Sequence, residues 1–189
     1  MVEVVNIVAS TQYAGSLDLN ELADHIGITF EPEQFPGMIW KMVEHSAPGR
    51  TEPMPKATIL TFASGKSVVV GARTIDDIEV AFDIMRAPLI SGDFETWDSP
   101  HEISLRNLVV VEQIGDDLDL KQLSYLLPFT RTEYEPEQFP GLIYRQDVND
   151  SEAVCLIFSS GKCVITGCAS FEDAQTAADM LATTLRDLV

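Results

Sequence analysis

The sequence is short of cations, of cysteine and of long apolar stretches. Twelve Lys and Arg face 30 Asp and Glu in 189 residues, for a formal net charge of −18. A chain this acidic lacks the basic surface that normally attracts polyanions, which argues against nucleic acid as a partner. The acids form an even coat and not a tail: residues 1–95 hold 14 acids and 6 bases, residues 96–189 hold 16 and 6. Such a coat also suits a cytoplasm at very high salt, where screening acts within ~3 Å at 1 M. Only three cysteines occur, Cys155, Cys163 and Cys168, with no C-x-x-C spacing. That argues against a disulfide framework or a zinc site and for buried structural thiols. Strict strand alternation places 163 and 168 on opposite faces, where they could not share a ligand. No apolar run approaches the ~20 residues of a membrane span. The start, MVEVVNIVAS, carries Glu3 and no basic n-region, so it does not read as a signal peptide, and an intracellular location is expected.

Catalytic patterns are missing as well. His25, His45 and His101 stand in unlike contexts, and no nucleophile is paired with a base. The Gly-Lys of the two Ser-Gly-Lys segments lacks the upstream glycines of a phosphate-binding loop. The expectation is a protein that is not an enzyme and needs no cofactor or metal.

What the chain does contain is a direct repeat. EPEQFPG occurs at Glu31–Gly37 and again at Glu135–Gly141. NIVAS (6–10) matches NLVVV (107–111), LDLNELADHI (17–26) matches LDLKQLSYLL (118–127), and FASGKSVVVGA (62–72) matches FSSGKCVITGC (158–168). Four blocks in one order describe two copies of a ~90-residue unit. The copies divide as 1–92 and 93–189, with a linker around Ile90–His101 marked by Pro88, Gly92 and Pro100. Each copy reads as strand, helix, four strands, helix. Leu19, Leu22, Ala23 and Ile26 form the first helical stripe, with Asp18 as cap. Helical patterns close the copies at Thr74–Leu89 and Phe171–Leu188.

Helices separated from antiparallel strands indicate an α+β fold with helices on one face of the sheet. Yet VEVVNIVAS, KSVVVGA, RNLVVVE and KCVITGC are apolar at consecutive positions, so both faces carry hydrocarbon. Four helices cover one face. The other must meet a partner. Phe35 and Phe139 precede Pro-Gly turns, and Phe62 and Phe158 precede Ser-Gly-Lys turns, placing two phenylalanines at neighbouring hairpin tips in each copy. Pro32, Pro36, Pro136 and Pro140 stiffen those tips.

N-I-V-A-S, E-P-E-Q-F-P-G-x-I-[YW], F-x-S-G-K and V-x-T-G, in this order in each half, closely resemble the core of the TATA-box-binding protein family across nearly the whole chain. The resemblance implies a saddle of two pseudo-symmetric β-α-β4-α repeats, its curved antiparallel sheet laid on a DNA minor groove and its helices on the convex face. That family is itself the reference case for minor-groove wedging and kinking. By motif position, Phe35, Phe62, Phe139 and Phe158 are the implied wedges. Asn6 and Asn107 are the implied donors to minor-groove acceptors, which A·T and T·A present alike. Val8, Val68, Val70, Val109, Val164 and Thr166 are implied on the groove-facing side, and Lys41, Lys66, Arg145 and Lys162 at phosphates. Glu135, Glu137 and Gln138 match the stirrup that recruits transcription factor B, and Glu31, Glu33 and Gln34 repeat it in the first half.

The implied function is a general initiation factor, archaeal and halophilic, that binds and bends TATA-like promoter DNA and serves the RNA polymerase pre-initiation complex. The implied location is cytoplasmic and nucleoid-associated. The alternative is a divergent paralogue acting as a gene-specific or protein-sequestering regulator. Two departures stand out: Val70 replaces the threonine kept as Thr166, and the Phe35–Phe62 interval is eight residues longer than Phe139–Phe158. The surplus lies in HSAPGRTEPMPK (45–56), to which the sequence assigns no role.

Overall fold

The structure is a computed structural model that describes residues 2–42 and 55–188. Most of the 45–56 insertion therefore lies outside the described residues. The chain divides into two compact units, Asn6–Arg106 and Met1–Val5 with Asn107–Val189.

The first unit holds β1 (Glu3–Gln12, from Asn6 on), α1 (Leu19–Ile26), β2 (Gly37–Lys41), β3 (Thr58–Phe62), β4 (Lys66–Ala72) and α2 (Ile75–Ser91). Its strands pair antiparallel in the order β2-β3-β4-β1. Asp18 caps α1 as its position promised, accepting from the backbone N–H of Asn20 (2.9 Å) and Glu21 (3.1 Å). Thr74 and Asp77 form a reciprocal capping box on α2. Each such cap is worth about 1 kcal/mol. Helix α2 packs on β4, and α1 packs on α2 and β2. Ile7, Met38, Ile59, Val69, Ile78 and Met85 are fully buried between helices and strands. A Thr61–Ser67 hydroxyl bond of 2.9 Å satisfies two buried polar groups there.

The second unit holds β5 (Ser104–Gln113, from Asn107 on), α3 (Leu120–Leu126), β6 (Thr132–Glu133), β7 (Leu142–Val148), β8 (Ser151–Ile157), β9 (Lys162–Cys168) and α4 (Phe171–Leu188). Its antiparallel order is β6-β7-β8-β9-β5. Helix α4 packs on β7, β8 and β9. Its alanines Ala174, Ala177 and Ala178 let it lie close to the strands, and Leu181 and Leu185 fill the far end. The sequence predicts four strands between the helices of each copy. The second unit has four, while the described residues of the first have three.

Three local findings differ from simple pattern reading. Helix α2 runs through Pro88 to Ser91, where the sequence suggests a linker from Ile90. Much of that segment is strapped to the first unit: Trp97 N–H donates to Tyr13 O (2.8 Å), His101 N–H to Gln12 O (2.9 Å), and Trp97 stacks on His101 at 4.4 Å. Finally, Cys163 and Cys168 both face the core with Cys155, contrary to the alternation argument. The cause is a bulge. The β5–β9 register shifts between Leu108 and Val110, and Gly167 adopts φ 93°, adding a residue that returns Cys168 to the buried face.

Candidate nucleic-acid interface

The duplicated heptapeptide folds identically in both units. The backbone N–H groups of Gln34 and Phe35 donate to Glu31 O (3.0 and 3.1 Å), and those of Gln138 and Phe139 to Glu135 O (2.9 and 3.0 Å). Gln34 reaches back to Glu31 (2.7 Å), as Gln138 does to Glu135. One helical turn thus lifts each phenylalanine onto the adjoining hairpin. Phe35 meets Phe62 edge-to-face at 5.9 Å between centroids, and Phe139 meets Phe158 at 5.8 Å. All four rings are half-buried. The turn glycine makes this possible: a Cβ on Gly37 would lie 2.7 Å from Phe35 and 2.9 Å from Phe62, and one on Gly141 2.7 Å from Phe139 and 3.1 Å from Phe158.

The second hairpin of each pair is held by matching bonds. Tyr13 N–H donates to Gly65 O and Ile114 N–H to Gly161 O, both 2.9 Å. Gln12 Nε2 bridges Ala14 O and Ser64 O (3.0 and 2.9 Å), while Gln113 Nε2 bridges Gly115 O and Ser160 O, both 2.6 Å. These amides clamp the Ser-Gly-Lys turns and so fix where Phe62 and Phe158 stand.

Away from the helices, each sheet presents cross-strand rows of side chains that are half-buried, apart from the exposed Ile39 and Lys41. In the first unit Ile39, Leu60 and Val68 align, as do Lys41, Thr58 and Val70. In the second, Ile143, Leu156, Val164 and Val111 align, as do Arg145, Val154 and Thr166. Val8 and Val109 belong to the same open faces. Ile39, Leu60, Ile143, Leu156 and Val154 escaped sequence reading, although alternation along the hairpins places them opposite the buried Met38, Ile59, Leu142 and Cys155. Lys41, Lys66 and Lys162 are exposed at strand ends, and Arg145 pairs with Glu133 at 3.2 Å.

The asparagines are oriented by the bulge that returned Cys168 to the core and by its counterpart in the first unit, where the β1–β4 register shifts between Ile7 and Ala9. Gly71 (φ 87°) donates its N–H to Asn6 Oδ1 at 2.8 Å, and Gly167 donates to Asn107 Oδ1 at 2.9 Å. A backbone N–H can only meet the oxygen, so each amide has its NH2 as the remaining donor. Asn107 also shares a bond of 3.1 Å with the Thr166 hydroxyl. Asn6 has Val70 in that place, with no hydroxyl to offer.

Paired aromatic tips, an apolar open face and oriented amide donors are each built twice, which defines a duplicated binding module. A family model described as "Transcription factor TFIID (or TATA-binding protein, TBP)" matches residues 1–90 and 102–188. The chain belongs to the TATA-binding protein family. It is 41% identical over 179 residues to TATA-box-binding protein 2 of Haloferax volcanii, covering 94% of this chain and 89% of that protein. It is 39% identical over 188 residues to the TATA-box-binding protein of Methanococcus vannielii, covering 99% and 95%. Among solved structures, Methanococcus jannaschii TBP matches with a TM-score of 0.83 at 36% identity, over 98% of both chains. The fold is therefore the α+β fold of that family. No described helix is long and apolar enough to cross a membrane.

Proposed function

We propose that this chain binds TATA-like promoter DNA in the minor groove, bends it by phenylalanine wedging and recruits transcription factor B for RNA polymerase. The observation that carries this reading is the twin aromatic pair, Phe35–Phe62 and Phe139–Phe158, each poised over a glycine at the end of an open apolar face. Half-buried valines suit the smooth A·T floor and clash with the exocyclic amino group of guanine. The NH2 groups of Asn6 and Asn107 donate to N3 and O2 acceptors, and Lys41, Lys66, Arg145 and Lys162 contact phosphates. Glu135, Glu137 and Gln138 offer a carboxylate-rich tip to Arg or Lys of the factor.

The charge of −18 shapes how binding responds to salt. Repulsion from phosphates is screened as salt rises, and cation uptake offsets the usual counterion release. Band shifts with TATA duplexes, with and without transcription factor B, test the reading. The expected result is a shifted duplex, supershifted by the factor, with bending lost in Phe139→Ala and Phe158→Ala. Unchanged bending in both variants removes the wedge assignment.

The rival role, a regulator that holds protein partners and binds DNA weakly, draws on one observation: Val70 leaves Asn6 without the hydroxyl that Asn107 has. A factor complex that forms equally well without DNA would favour it.

A further inference from the structure

The two halves provide an internal comparison, and they differ most in surface chemistry at the end of their first helices. By repeat position, Asp24 and His25 of α1 correspond to Tyr125 and Leu126 of α3. The stretch from Leu118 to Glu135 is also three residues longer than its counterpart from Leu17 to Glu31. Part of that length is a 3-10 turn, Phe129–Arg131. Phe129 is 89% exposed, Tyr125 78% and Leu126 45%. The sister half has Asp24, His25 and a half-buried Ile28 at these positions, so only the second half exposes three large apolar side chains within five residues, and such exposure costs solubility unless something covers it.

The rest of the neighbourhood restricts the occupant. Glu135 and Glu137 are exposed just downstream, only five residues separate Phe129 from Glu135, and the exposed Glu133 between them is paired with Arg145 at 3.2 Å. Arg131 is paired with Asp147 at 2.5 Å, a hydrogen-bonded contact that holds the Asp147 carboxyl below the usual carboxylate range. Its charge is thus matched within the surface. With Arg131 matched by Asp147 and Glu133 by Arg145, the apolar side chains lie upstream of two carboxylates, Glu135 and Glu137, which repel phosphates and a second copy of a chain carrying −18. It complements a protein segment with an apolar face bordered by Lys or Arg.

We propose that Tyr125, Leu126 and Phe129 form a docking surface for such a basic, apolar-faced protein segment, which also engages the acidic tip at Glu135 and Glu137, separated from Phe129 by five residues. It extends the grip on the factor assigned to that tip, and so rests on the recruitment reading above. The aromatic and aliphatic groups supply desolvated contact area, and the carboxylates set orientation and approach.

The test uses the full chain on a labelled TATA duplex, titrated with purified transcription factor B. One variant carries Tyr125→Ser, Leu126→Ser and Phe129→Ser, which removes apolar area without altering charge. A second carries Glu135→Gln and Glu137→Gln. The expected result is that the serine variant binds DNA alone as the parent does and binds the factor about tenfold more weakly. That loss should persist at molar KCl, while the glutamine variant's loss shrinks. If the glutamine variant alone weakens, the patch is overturned and the recruitment reading survives. If the factor binds neither the parent nor the variants, both are overturned. If sedimentation shows a parent dimer that the serine variant abolishes, the occupant is a second copy and the proposal fails.

Discussion

Replacing Gly37 or Gly141 by Ala separates the aromatic wedge from everything around it. Neither glycine uses positive φ, so a methyl group introduces no backbone strain. Its effect is contact alone. The new Cβ would stand 2.7 Å from Phe35 or Phe139, against an optimal carbon separation of about 3.5–4.0 Å. The ring must therefore retreat by roughly 1 Å. In Gly37→Ala the three nearest atoms belong to Phe35 and Phe62 side chains, which can swing outward. In Gly141→Ala the Cβ also meets Ile157 O at 3.2 Å, and a carbonyl in a strand yields less readily. Overpacking costs about 1–3 kcal/mol, and half-exposed rings keep Gly37→Ala near the lower limit. For a chain of this size about 1 kcal/mol lowers Tm by roughly 2–4 °C. On the proposed wedge reading each ring enters between stacked bases, so bending should suffer more than stability. Fluorescence transfer between dyes at the duplex ends reads the bend, and anisotropy reads the Kd. The expected outcome is reduced bending and an affinity loss of about tenfold, equivalent to ~1.4 kcal/mol. Gly15→Ala is the control, since nothing lies within 4 Å of its Cβ. Full bending by Gly37→Ala, with Phe35 shown to be displaced, would refute the wedge argument.

Val70→Thr should give Asn6 the hydroxyl neighbour that Asn107 has in Thr166, and Thr166→Val should remove it. Binding-site selection is expected to show base preference changing at one half-site in each case and to leave the other half-site alone. Gly167→Ala should destabilise more than Gly71→Ala in urea, because its Cβ meets Glu152 O at 2.5 Å while that of Gly71 meets Lys56 O at 3.2 Å. Both also carry the αL cost of about 1–2 kcal/mol. Burial pushes the thiols of Cys155 and Cys163 up to about 12, and all three cysteines are free and buried. Maleimide labelling at pH 7 should thus proceed only at the rate of opening. DNA affinity measured from low to molar KCl should hold or rise, and a steep monotonic loss would sink the halophilic reading.

The repeat, the α+β class and the aromatic pairs were legible because each rests on local signals: identical blocks, strand and helix periods, and Phe beside Pro-Gly or Ser-Gly-Lys. The cap of α1 at Asp18 was legible for the same reason. The bulges were not, because a glycine in a strand does not announce whether it adds a residue to the ladder. That one unknown misplaced Cys168 and hid the bond that aims each asparagine. Cross-strand rows needed register, which alternation within a single strand does not supply, so Ile39, Leu60, Ile143, Leu156 and Val154 were missed. Pro88 helped to mark a linker from Ile90, yet with Met85 and Leu89 packed in the core α2 continues to Ser91.

The Asn–Gly contact has a consequence for how such a protein can evolve. Gly71 aims Asn6, and the αL backbone confines that position to glycine at little tolerance. Val70, next to it, contributes no bond to the aiming. The residue that adjusts the chemistry and the residue that holds the geometry are adjacent but separable. On the proposed reading, a duplicated gene could therefore drift at position 70 and change promoter taste while Gly71 keeps Asn6 in place, whereas the same drift at 166 also gives up the hydroxyl bond to Asn107.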